Sequence, residues 1–174
     1  MKKIATALLI SAGLVAAPVA MANQEGYVGL NVSEVEIDGG GSGSNPKPIA
    51  LTVRAGAQMN DFLAAEVRLG FGVNDDKVNG VKVELENTMG AYVRGILPLN
   101  ERFGVYVLGG VTRAKVKASG FGVSDSESET KVAYGLGADF SLTPEMFVNI
   151  EYARLLDGSD FDLDALSVGA GWRF

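Results

Sequence analysis

The chain has 174 residues, with 15 Lys and Arg against 21 Asp and Glu, and no Cys or His. That length holds one domain. Without Cys there are no disulfides or thiolate metal sites, and without His the commonest general base and metal ligand is missing. The acidic balance argues against nucleic acid, which is bound by basic patches.

The first 22 residues read as a secretory signal peptide. Lys2 and Lys3 form a basic start, Ile4 to Ala17 is an apolar run, and Pro18 breaks it. Ala20 and Ala22 place small residues at both cleavage positions, so processing is expected before Asn23. A membrane-spanning helix is the alternative, but the run is shorter than the ~20 residues a span needs. Losing Lys2 and Lys3 leaves 13 basic and 21 acidic residues, a net of −8. Residues 23–174 form the second unit.

Eight alternating runs follow, and no stretch has the period of a helix. The first is Gly26 to Ile37, with Val28, Leu30 and Val32 on one face and Tyr27, Gly29, Asn31 and Ser33 on the other. The second, Pro48 to Met59, sets Ile49, Leu51 and Val53 against Thr52 and Arg54. The third sets Leu63, Ala65, Val67, Leu69, Phe71 and Val73 against Glu66, Arg68 and Gly70. In the fourth, Val81 to Leu97, the apolar set is Val83, Leu85, Met89, Ala91 and Val93, opposite Glu84, Tyr92 and Arg94. The fifth, Arg102 to Lys117, sets Phe103, Val105, Val107 and Val111 against Tyr106, Leu108 and Thr112. Ala118 to Glu129 reads as a Ser/Gly/acid loop. The sixth, Thr130 to Leu142, sets Val132, Tyr134, Leu136, Ala138 and Phe140 against Gly135, Gly137 and Asp139. The seventh, Met146 to Leu156, opposes Val148, Ile150 and Tyr152 to Asn149 and Glu151. The last, Ala165 to Phe174, puts Leu166, Val168, Ala170, Trp172 and Phe174 on one face.

Alternation alone does not say which face is inside. The polar face carries many glycines and the charges Arg54, Glu66, Arg68, Arg94, Asp139 and Glu151, as a narrow closed barrel requires of its interior. The other face is continuously aliphatic over a height of roughly 25 Å, that of a lipid-facing band. A soluble lipocalin-like barrel would reverse the faces and would not rim them with Trp and Phe. Short turns at Asn60-Asp61, Leu99-Asn100 and Thr143-Pro144-Glu145 alternate with longer polar loops, which places the short turns in the periplasm. Phe103, Phe140, Trp172 and Phe174 then form an aromatic girdle at that end.

The secretory start, the GLGADF stretch at Gly135 to Phe140 and the ending Trp172-Arg173-Phe174 resemble the eight-stranded bacterial outer-membrane barrels, the group of the OmpA transmembrane domain and OmpX. The resemblance implies an all-β fold, an eight-stranded antiparallel up-and-down transmembrane β-barrel, located in the outer membrane. It implies the barrel-insertion machinery and periplasmic chaperones as partners during biogenesis, with Phe174 as part of the insertion signal. A monomer is expected, with no appended domain tethering peptidoglycan and no cofactor.

The Asn60-Asp61 turn predicts Arg54 opposite Glu66 and Thr52 opposite Arg68, and the Asn100 turn predicts Arg94 facing Tyr106. An unpaired charge inside a barrel costs several kcal/mol, so these groups must pair. They form either a plug or a gate, and the plug is favoured because eight strands leave no aqueous channel. Arg113, Lys115, Lys117 and Arg154 share the outward phase above the aliphatic band, where they meet lipopolysaccharide phosphates or simply water. The loop acids, Asp75-Asp76, Asp125-Glu127-Glu129 and Asp157 to Asp164, fit no standard calcium loop and read as solvated surface. Asp139 and Glu151 could pair as acid and base, but in a filled lumen no substrate reaches them, so no enzyme is expected. The expected role is structural, in envelope integrity and loop display. Surface adhesion and a narrow solute channel are the alternatives.

Overall fold

The computed structural model describes residues 25–38, 47–78, 81–120, 123–156 and 162–174. Residues 1–22, read from the sequence as a signal peptide ending at Ala20 and Ala22, and the acids Asp157 and Asp160, lie outside them. Strands β1 (Gly26–Asp38), β2 (Ile49–Asn60), β3 (Leu63–Gly72), β4 (Asp75–Val78), β5 (Val81–Pro98), β6 (Phe103–Gly120), β7 (Val123–Ser141), β8 (Met146–Leu156) and β9 (Asp162–Arg173) form one antiparallel sheet. β3 and β4 both pair with β5 and act as one interrupted stave, while β1 pairs with β9. The sheet is therefore a closed barrel of eight staves, and closure removes the free edges that an open sheet would expose within the membrane.

Pairing fixes the geometry. One row of partners runs Gly26, Ala57, Ala65, Val93, Gly109, Tyr134, Arg154, Asp164 and returns to β1 at Glu36, ten residues further along. With ~3.3 Å per residue and ~4.8 Å between strands, that stagger tilts the strands by about 40° from the barrel axis.

The three short turns are built locally. Asn60 Oδ1 accepts a hydrogen bond from Phe62 N, Asn100 Oδ1 from Arg102 N and Phe103 N, and Thr143 Oγ1 from Met146 N, at 2.9–3.0 Å. Short polar side chains closing on backbone two or three residues ahead favour tight turns.

Along the lipid band the inside-out assignment of faces holds. Val67, Val107, Leu136, Ile150 and Val168 are all more than half exposed, while Arg54, Glu66, Arg94 and Glu151 are at most 3% exposed. Three expectations are corrected. Leu85 points inward, because a bulge between Leu85 and Asn87 shifts the strand by one residue and flips its phase. The stretch from Ala118 to Glu129 is mostly strand, since β6 and β7 pair out to Gly120 and Val123. Asp75 to Val78, read as loop, is strand β4. Above the lipid band an outward side chain need not be aliphatic. The period-2 hydrophobic signal therefore fades while the ladder continues.

Candidate functional site

The lumen is layered. At its centre Glu66 accepts from Arg68 Nε and from Tyr27 Oη (2.5 Å), with Arg94 at 3.5 Å and Arg54 at 3.8 Å. Arg68 also forks onto both oxygens of Glu151, one of them at 2.8 Å, and Tyr106 Oη donates to Glu151 at 2.8 Å. Arg94 Nη2 reaches Asp139 at 2.7 Å, and Arg54 Nη2 donates to Asn149 Oδ1 at 2.9 Å. Three guanidiniums thus meet three carboxylates, so the layer is neutral as a unit. Rings complete it: the Arg94 guanidinium lies 3.7 Å from the Tyr106 ring centre and that of Arg68 4.8 Å from Tyr92. All six charges singled out from the sequence meet in this one network.

Their register differs from expectation by two residues. Arg54 pairs with Arg68, Thr52 with Gly70, and Arg94 with Leu108. The β2–β3 turn centres on Asp61 and Phe62, after a bulge between Gln58 and Asn60. Arg94 still touches Tyr106, but diagonally.

Large lumen side chains lie over glycines on the neighbouring strand. Tyr27 pairs with Gly56, Tyr106 with Gly137 and Phe147 with Gly171. Phe147, at 2% exposure, fills the lower lumen and stacks with Arg173, whose guanidinium is 4.4 Å from the ring centre. Its inward phase follows from the outward Met146 and Val148 on either side, but nothing else in the sequence marks it. Below the charges, a basin of about 530 Å³ opens to the periplasmic mouth, with Arg94, Asp139, Phe147 and Arg173 in its lining. Above them come hydroxyls, with Ser33 Oγ 2.7 Å from Ser167 Oγ and Tyr92 Oη 2.5 Å from Thr112 Oγ1. Ser33, Tyr92 and Ser167 border a cavity of about 20 Å³, room for about one water. Val35, Ile37, Ala50, Leu85, Ala114, Leu163 and Ala165 cap the lumen as an apolar cluster.

On the outer wall, Phe140, Trp172 and Phe174 are exposed, and Phe103 is half-buried directly opposite Phe140. Phe62, in the β2–β3 turn, joins them. Phe71, Tyr134 and Tyr152 are exposed further up. Arg113, Lys115 and Lys117 point outward on β6; Arg113 Nη2 donates to Ser128 Oγ at 3.2 Å, and Lys115 lies 2.6 Å from Glu86. Arg154 is separated from them. It binds both oxygens of Asp164 at 2.9 Å and reaches Asp162 at 3.4 Å. It therefore belongs to an acidic face formed by Glu34, Glu36 and Asp38 on β1 with Asp162 and Asp164 on β9. Lys47 joins this face 3.0 Å from Glu36, whose hydrogen bond holds its ammonium pKa above the usual value. Among the described residues no group of acids is arranged to hold a metal ion.

Comparison with known proteins agrees with this geometry. The chain is 31% identical over 157 residues to the attachment invasion locus protein of Yersinia pseudotuberculosis, covering 84% of this chain and 82% of that one. It is 37% identical to the Yersinia enterocolitica protein over 89 residues, 50% of this chain and 46% of the relative. The Yersinia pestis protein Ail, solved with the heparin analogue sucrose octasulfate, superposes with a TM-score of 0.67 at 20% identity, over 87% of this chain and 99% of that one. Neisserial surface protein A superposes at 0.60 with 16% identity, over 86% and 97%. The model of the outer membrane protein beta-barrel domain matches residues 5–174, and the chain belongs to that family of bacterial outer-membrane proteins.

Proposed function

We propose that this protein is a closed, rigid scaffold that presents its outer β5–β7 sheet for attachment to other surfaces. The observation that carries the reading is the far edge of β7. Its pairing with β8 begins only at Tyr134↔Arg154, whereas β6 accompanies β7 up to Val123. Among the described residues, Val123 to Thr130 therefore shows no ladder partner on its β8 side. Such an edge can accept an extended segment of another protein as an added strand. The extended strands themselves supply the display surface. The relatives' names, attachment invasion locus proteins, support the same reading.

The closed lumen supports neither a solute channel nor catalysis, since Asp139 and Glu151 are both committed to arginines. Arg113, Lys115 and Lys117 offer cations at the level of the lipid headgroups, where anionic groups of lipid or of another protein can meet them.

A deletion strain tested together for adherence, envelope leakage and solute uptake decides among these roles. Adherence should fall while the permeability barrier stays intact, and lysines at Ser126 and Ser128 should reproduce the loss by blocking the edge. Leakage with unchanged adherence would assign the barrel to envelope structure alone.

A further inference from the structure

The outer rim is electrically polarised. The face formed by β1 and β9 carries Glu34, Glu36, Asp38, Asp162 and Asp164 against two cations, Lys47 and Arg154. The β6 face carries Arg113, Lys115 and Lys117, with Glu86 beside them on β5 and Glu84 across from Lys117 in register. Counted round the barrel, β6 is the fourth stave from β1, so the two faces lie half a turn apart.

They also stand at the same height. Following the pairing register at ~3.3 Å per residue and about 40° tilt puts Asp164 and Arg113 within about 1 Å of one level, and Glu36 and Lys115 within about 3 Å. Both pairs stand roughly 20–30 Å above the girdle of Phe103, Phe140 and Trp172, at the outer lipid interface.

We propose that copies of this barrel line up side by side in the membrane, the acidic face of one against the basic face of the next. An acidic face in a leaflet of lipid phosphates meets like charge, whereas the β6 face of another copy meets it with opposite charge. The apolar wall beneath allows close approach. Gly95 and Gly109 lie diagonally on the outside of β5 and β6, and a Cβ at Gly109 would meet nothing within 4 Å. This dent adjoins a shallow depression of about 720 Å³ running past Leu97, Val107 and Leu136. In lipid, such small-residue surfaces favour packing. A contact between two different faces is heterologous, and because these faces are opposed by half a turn its repetition gives open rows rather than closed rings. Screening by salt makes the charges set orientation more than strength.

The natural absence of cysteine makes the test direct. Glu36→Cys and Lys115→Cys are made separately, checked for correct insertion, mixed and mildly oxidised in native outer membranes. Mixed disulfide dimers should exceed like-with-like dimers several-fold, and a single chain carrying both substitutions should give a ladder of dimers, trimers and larger species. Adding Arg113→Glu and Lys117→Glu to the Lys115→Cys chain should reduce the mixed product several-fold. Three results overturn the proposal: monomers only; equal yields of like and mixed dimers; or mixed dimers that form in phosphatidylcholine vesicles but vanish when lipopolysaccharide is present, which would make the β6 cations lipid sites.

Discussion

Arg54 and Arg68 stand directly across from each other on β2 and β3, both buried, two like charges in cross-strand register at mid-membrane. The pair is tolerable because both guanidiniums turn towards Glu66, from which Arg68 makes its second link to Glu151. Glu66 is therefore the hub. Removing one partner from a buried ionic network costs about 3–5 kcal/mol, because the remaining charges are left uncompensated. Glu66→Ala should lose that much in urea unfolding from lipid vesicles, and more than Asp139→Ala, since Asp139 serves Arg94 at the edge of the network. Equal, small losses would mean that water solvates the lumen freely.

The lumen has two seals of different chemistry: the charge layer and, above it, the apolar cap of Val35, Ile37, Leu85 and Leu163. A variant with only the first seal broken, Arg54→Ala, should stay electrically silent in planar bilayers because the cap still excludes ions. Reproducible openings from Arg54→Ala alone would show that the charges act as a gate.

That cap marks where the sequence stopped being readable. Along the lipid band, one rule assigned every face correctly, because lipid demands aliphatic side chains outside and closure demands small or paired polar ones inside. At the level of the headgroups the demands reverse. Val35 and Ile37 turn inward while Glu34 and Glu36 turn outward, and the wall reads like that of a soluble barrel. The strand phase of β1 never changes, but the chemistry of its two faces swaps between Val32 and Glu34. On β5 the bulge hides the change further. Register was illegible for a different reason: moving the centre of a turn by one residue shifts partners by two without moving any side chain to the other face. The six lumen charges were therefore placed together, though in the wrong pairs.

The glycines separate into two kinds that sequence alone does not distinguish. At Gly137 a Cβ would come within 2.5 Å of the Tyr106 ring and hydroxyl and 2.6 Å of Ile150 O, whereas at Gly109 it meets nothing. Gly137→Ala should sharply lower the folding yield in vesicles, since Tyr106 cannot move without leaving Glu151 and Arg94. Gly109→Ala should fold as well as the parent or slightly better, because the unfolded chain loses freedom. A tolerated Gly137→Ala would show that the lumen repacks easily.

Depth along the outer wall gives the sharpest check on the barrel's position in the bilayer. Val168 lies mid-band on β9, and Thr130 lies above the band on β7, each pointing outward and each exposed. An arginine facing lipid at the midplane costs about 2–4 kcal/mol, falling to about 0–1 near the interface. Val168→Arg should therefore destabilise the protein in phospholipid vesicles by several times as much as Thr130→Arg, with the difference measured by urea unfolding. In a soluble barrel both positions would face water and both substitutions would be nearly silent. Equal effects at the two sites would thus refute the bilayer geometry that orders every layer of the lumen and the level of both rim faces.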